Sequence, residues 1–242
     1  MNLRSKPNVT SLKKGHDDYL DGVDKNTDSK PNVLFILMDD LGYGDISLNG
    51  SIYKTPNIDS IGENGLNFEN FYSAYSVCSP ARFGALTGRY PYRGYADNVI
   101  YPTVQTFAPF AQTRIFNSIE MGNNCDGMLG DEITIAEIFD NAGYNTGAFG
   151  KWHLGLGDKT GEQDWNAPLP ASLGDLGFDY HYIMAATGDR VPCVFIENGQ
   201  VANYDESAPI EVSYVHNFEG EPTGKENPEL LYNLKSSHGH DM

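Results

Sequence analysis

Cys78, Pro80 and Arg82 stand at two-residue intervals in the run YSVCSPARFGALTGRYPYRG, which spans Tyr75–Gly94. A proline two places after the cysteine suits the first turn of a helix, where its missing N–H costs nothing. Cys78 then falls at or beside the N-cap, where unbonded N–H groups and the helix dipole favour an anion. On a helix that includes both, Arg82 lies four residues on and shares a face with Cys78. A thiol and a guanidinium bracketing one small volume suit an oxyanion such as sulfate or phosphate, held beside a reactive group. The plainer reading, a buried structural cysteine with a surface arginine, is the commoner fate of an isolated cysteine.

Asp39 and Asp40 follow the apolar run NVLFILM directly and precede Gly42 and Gly44. Adjacent carboxylates repel unless a cation or hydrogen bonds compensate, and hard ions such as Ca²⁺ or Mg²⁺ take oxygen ligands of this kind. An ordinary turn with one aspartate capping the next segment explains the pair equally well. In GKWHLG, an extended chain puts Lys151 and His153 on one side and Trp152 on the other. A cation beside an imidazole at a strand's carboxyl end fits anion binding and proton transfer; a solvated lysine and a satisfied loop histidine compete with that reading. His238, His240 and Asp241 have a metal-like pattern but read better as surface residues. Thr187, Asp189 and Arg190 read as a turn, and Asn8–Thr10 matches a glycosylation sequon.

The elements that must position these groups follow from hydrophobic period. Asn32 to Met38 is continuously apolar between a proline and DDLGYGD, the pattern of a strand buried on both faces. TPNIDSIGENG predicts a short helix from near Thr55 to a stop at Gly65, followed by a strand in LNFENFYSA. DEITIAEIFDNAG predicts a second helix, with Asp131 as its cap and Gly143 as its stop. YNTGAFG reads as another buried strand, and CVFIENGQVANY as a hairpin turning at Asn198–Gly199. Strands alternating with helices imply an α/β sheet that takes ligands at the carboxyl ends of its strands.

The chain has 242 residues, 40% of them hydrophobic, enough to fill a core. A formal charge of −17 argues against nucleic acid and anionic membranes as partners, since both need a basic footprint. No apolar run approaches the roughly 18 residues of a spanning helix. Residues 1–30 are polar and aperiodic, read as a disordered tail without the apolar centre of a signal peptide. Cys78, Cys125 and Cys193 are an odd, widely spaced set, neither a disulfide framework nor a zinc pattern.

Taken together, CSPARFGALTGR, VLFILMDDLGYGD, TPNIDSIGENG and GKWHLG resemble, in order and spacing, the type I sulfatases of the alkaline-phosphatase superfamily. The likeness is clear from Pro31 to about Leu176 and looser toward Met242. It implies an α/β fold with a mixed, mostly parallel sheet flanked by helices, incomplete at the C-terminus. Residues 31–242 are then the N-terminal portion of a catalytic domain, with roughly half the length such a domain needs.

In that family the motif cysteine is oxidised to formylglycine by a separate maturing enzyme acting on the unfolded chain. Carried over, the resemblance implies hydrolysis of sulfate esters by a formylglycine derived from Cys78, bound to Ca²⁺, with Mg²⁺ as the other candidate. Asp39 and Asp40 become metal ligands, with residue 78 itself on the metal. Arg82 steadies the formylglycine, Lys151 binds sulfate, and His153 takes a proton as sulfate leaves. The implied partners are a sulfated small molecule or glycan and the formylglycine-generating enzyme. The implied compartments are periplasm, lysosome or exterior.

One departure stands out. The family's later calcium ligands, an Asp–Asn or Asp–His pair, have no counterpart in a suitable place: Ala96–Asn98 comes too early and Phe139–Asn141 lies in a predicted helix. An inactive, sulfatase-like fragment is therefore the first alternative. A phosphatase or phosphodiesterase of the same superfamily, with Ser or Thr at the nucleophile position, is the second.

Overall fold

The structure is a computed structural model that describes residues 17–23, 30–91, 133–157, 163–185, 187, 192–212 and 219–220. The chain divides into two compact units, residues 30–73 and residues 1–29 with 74–242.

In the unit of residues 30–73, helix α1 (Pro56–Asn64) forms where expected, with Pro56 at its first turn, Thr55 before it and Gly65 after. The Thr55 hydroxyl makes no cap bond. It donates instead to Asp59 Oδ1 at 2.9 Å and accepts the Ser47 N–H at 2.8 Å. The Ser47 hydroxyl donates to Asp59 Oδ2, and the Leu48 N–H to Oδ1 at 3.0 Å. The Ser47 hydroxyl, ahead of Thr55 and the Leu48 amide, holds the Asp59 carboxyl below its usual range. This clip ties the short 3-10 turn Ser47–Asn49 to the start of α1.

Two expectations fail in this unit. Residues 31–38 form no strand and are exposed, Leu34 at 85%. Residues 66–73 form none either, and Phe71 is 82% exposed. An apolar run records a demand for burial but not the partner that meets it. A strand buried on both faces needs a neighbour on each edge and cover above and below, and no strand pairs with either segment among the described residues.

The other unit holds α2 (Cys78–Thr87) and α3 (Ile135–Asn141), which pack on each other, and a four-stranded sheet. Strands β1 (Gly147–Lys151), β2 (Tyr180–Met184), β3 (Phe195–Glu197) and β4 (Gln200–Val201) lie in that order. β1 and β2 are parallel, and the other two pairings are antiparallel, so the sheet is mixed as expected. The hairpin turns at Asn198 and Gly199, both left-handed at φ 46° and 84°, which is the backbone a type I′ turn requires.

α3 is capped by Thr134; Asp131, the expected cap, lies outside the described residues. The Thr134 hydroxyl accepts the Glu137 N–H at 3.1 Å, and Glu137 Oε2 accepts the Thr134 N–H at 2.8 Å. That reciprocal pair satisfies two helix-end donors at once. The Thr134 hydroxyl also donates to Leu176 O at 2.8 Å, seating α3 on the 3-10 turn Leu173–Leu176. Gly177 follows that turn at φ 84°, and a Cβ there would lie 2.5 Å from the Glu137 nitrogen. Only glycine fits this close approach.

One face of the sheet is aromatic: Phe149 tilts against Tyr180 with ring centroids 5.7 Å apart, and Tyr182 stacks on Phe195 at 5.0 Å. The other face buries Ile183, Ile196 and Val201 in a core with Phe83, Trp152, Leu154, Leu156, Trp165, Leu173 and Leu176. His181, on β2, is buried too, and neither ring nitrogen has a hydrogen-bond partner among the described residues. Burial pushes its imidazole below the usual range, because the charged form loses its hydration.

The folded state therefore binds fewer protons at His181 than the unfolded chain does. Stability is unaffected above the unfolded value of about 6.5 and falls as pH drops below it. Urea midpoints at about pH 7.5 and about pH 5 are expected to differ more for the parent than for His181→Phe. Equal acid sensitivity in both sinks this assignment.

Candidate functional site

α2 begins at Cys78 because Pro80 and the extended Val77 before it set the first turn, and Ser79, Pro80 and Phe83 bury its inner side. The helix ends at Gly88, left-handed at φ 66°, whose N–H returns to Gly84 O at 2.9 Å. The Thr87 hydroxyl donates to Phe83 O at 2.8 Å and accepts the Arg89 N–H at 3.2 Å. Cys78 is half-buried at the first helical position, its thiol free.

Arg82 reaches across to the end of β1. Its Nε donates to Trp152 O at 2.8 Å and its Nη2 to Lys151 O. Lys151 is the last residue of β1, and it is half-buried. Sheet pairing continues past it, with Trp152 N–H on Met184 O at 3.0 Å and His153 N–H on Ala185 O at 3.1 Å. The indole N–H of Trp152 donates to Gly155 O at 2.7 Å. His153 is fully buried.

The expected simple alternation, with Lys151 and His153 on one side, does not hold. Gly150 is left-handed at φ 87° and so is His153 at φ 59°; each reversal breaks the two-residue period of an extended chain. Trp152 and His153 are both buried, while Lys151 stays half-exposed.

Cys78, Arg82, Lys151 and His153 all belong to one unit, in which Arg82 ties the helix that starts at Cys78 to the end of β1. Asp39 and Asp40 belong to the other. They are exposed at the end of residues 31–38, and Asp40 is left-handed at φ 53°. Nearby, Asp45 Oδ2 accepts the Gly42 N–H at 2.7 Å, closing the loop that follows the pair. Two adjacent carboxylates are the hard oxygen donors that Ca²⁺ or Mg²⁺ takes, so their chemistry fits such an ion. No group of three or more His, Cys, Asp or Glu gathers among the described residues.

Thr187 lies outside any assigned element. Asp189, Arg190, His238, His240, Asp241, Cys125 and Asn8–Thr10 lie outside the described residues. Cys193 is exposed. No helix among the described residues is long and apolar enough to cross a membrane. Sequence reasoning missed three things: β2, the buried His181 upon it, and the grip of Arg82 on two successive backbone carbonyls. The alternation of YHYIM was a readable signal for the first. Side-chain bonds to distant backbone leave no pattern in sequence.

A family model described as Sulfatase matches residues 31–201. An N-acetylgalactosamine-6-O-sulfatase of Bacteroides thetaiotaomicron is 42% identical over 213 residues, 88% of this chain and 37% of that protein. An arylsulfatase A of Bos taurus is 40% identical over 170 residues, 68% of this chain and 27% of that protein. A solved structure concerned with the metabolism of multiple glycosaminoglycans by Bacteroides thetaiotaomicron superposes with a TM-score of 0.67 at 40% identity. It is matched over 83% of this chain and 38% of its own. The chain spans well under half the length of these relatives.

Proposed function

Since the chain belongs to the sulfatase family, we propose that it carries the nucleophile end of a sulfuric ester hydrolase, with position 78 as the reacting residue. The observation that carries this reading is the Arg82 bridge, which joins the helix starting at Cys78 to the turn bearing Lys151 and His153. A formylglycine formed from Cys78 and a divalent cation on Asp39 and Asp40 would supply a hard oxygen nucleophile and positive charge, the match a soft thiol lacks.

The chain's own side chains account for the rest. A sulfate ester brings negative oxygens whose charge grows in the transition state, and fixed positive groups lower that barrier. Lys151 binds the sulfuryl oxygens, and Arg82 and the N–H groups at the start of α2 add to the field. His153, buried and therefore sheltered from bulk water, takes up a proton as sulfate leaves. The substrate class is a sulfated glycan, in keeping with the name of the 42% identical relative. The family's exported compartments are proposed for it, as is a formylglycine-generating enzyme as maturing partner.

Expression of everything the reading frame encodes, together with a formylglycine-generating enzyme, is expected to yield a protein about 18 Da lighter at the Cys78 peptide. An unchanged mass, with a control sulfatase converted in the same cells, excludes the formylglycine route. One observation favours a second reading, an inactive sulfatase-like piece: two carboxylates adjoin at Asp39–Asp40 and no cluster of three or more His, Cys, Asp or Glu forms among the described residues. A converted protein that turns over neither aryl sulfate nor sulfated glycan selects it.

A further inference from the structure

We propose that Arg82 is a positioning residue, whose guanidinium fork sets the Lys151–Trp152–His153 turn against the helix that begins at Cys78; its effect on turnover rests on the sulfatase reading above. Consecutive carbonyls of an extended strand point in opposite directions. Here the carbonyls of Lys151 and Trp152 both accept from one side chain, through Nη2 and Nε. One planar fork can serve both only because the backbone is turned at this point, and His153, left-handed at φ 59°, continues that turn.

A left-handed histidine persists only where its surroundings over-determine it. The surroundings are legible. Trp152 and His153 give their N–H groups to Met184 O and Ala185 O, and the Trp152 indole closes on Gly155 O. Those bonds hold the turn to β2. Arg82 bonds it to α2. Two bonds from a rigid fork define an angle as well as a distance, which the single point charge of a lysine cannot do. The arginine therefore registers the cation of Lys151 and the imidazole of His153 relative to residue 78, in addition to any charge it contributes.

A double-mutant cycle separates this from direct action on substrate. In the matured protein, expressed with all the sequence its reading frame encodes, Arg82→Ala is expected to lower kcat/KM by about 100-fold, the scale of a misplacement of about 1 Å. Arg82→Lys keeps the charge but not the fork, and is expected to lose at least about tenfold. If Arg82 acts through the turn, removing Lys151 removes part of what it positions. The loss in Arg82→Ala/Lys151→Ala is then at least about tenfold smaller than the product of the single losses. Losses that multiply to within about threefold, or an Arg82→Lys enzyme equal to the parent, overturn the proposal.

Hydrogen exchange supplies the second arm. The Trp152 and His153 amides are expected to exchange faster in Arg82→Lys, while the β2–β3 amides keep their protection; unchanged exchange at both overturns the proposal. Should the parent protein show no sulfatase turnover, the sulfatase reading fails while this arm still decides the clamp.

Discussion

Cys78→Ala is expected to lower sulfatase turnover at least about a thousandfold while leaving the fold intact. The two halves of that expectation have different physical origins. Position 78 is the proposed reacting residue, and removing a nucleophile leaves only what binding and the charged groups do without it. Stability is a separate matter, since the thiol is half-exposed at the first helical position and the packing of the helix rests on Ser79, Pro80 and Phe83. Urea unfolding should therefore change by no more than about 0.5 kcal/mol. Turnover within tenfold of the parent would remove residue 78 from the reaction altogether. A large loss of stability would make the activity loss uninformative about chemistry, which is why both measurements belong together.

Phe83→Ala is expected to act in the opposite way, costing about 3–5 kcal/mol of stability. Phe83 is fully buried and belongs to the same core cluster as Trp152 and Ile183. Its ring is lost from an interior packed nearly as densely as a crystal, and the cavity left behind adds to the transfer cost. Because Phe83 follows Arg82 on the same helix, loosening it also loosens the anchorage of the helix that carries residue 78. Denaturant unfolding at neutral pH checks the figure; a change below about 1 kcal/mol would mean that the helix is not docked through this ring.

Local chemistry explains which elements the sequence disclosed. α1 announced itself by its start near Thr55 and its stop at Gly65, α2 by Pro80, and the hairpin by Asn198–Gly199. In each case the signal is a residue whose own backbone or hydroxyl makes the turn. α3 was found with its start displaced, because Asp131 and Thr134 are both acceptable caps and only the partnership with Glu137 decides between them. The failures share a different cause. Residues 31–38 and 66–73 carry the composition of strands, but a strand exists only with a partner, and partnership is not written in a segment's own residues.

The candidate site divides along the same line. Residue types and spacing nominated Cys78, Arg82, Lys151 and His153, and these four occupy one unit. The spatial reason for their company, Arg82 holding the Lys151 and Trp152 carbonyls, links positions about seventy apart and has no local signature. The alternation argument at GKWHLG failed for a specific reason: the left-handed backbone at Gly150 and at His153 interrupts a period that assumes neither.

The burial of Ser79 and Pro80, the two residues that follow position 78 in the first turn, would turn the proposed conversion at position 78 into a matter of timing. Any catalyst that must grip the residues around that thiol as a loose strand has to finish before the first turn winds and its proline goes under. On the proposed formylglycine reading, conversion would race collapse. A chain that folds sluggishly would then grant the modifier a longer interval, and occupancy would be fixed by kinetics during synthesis.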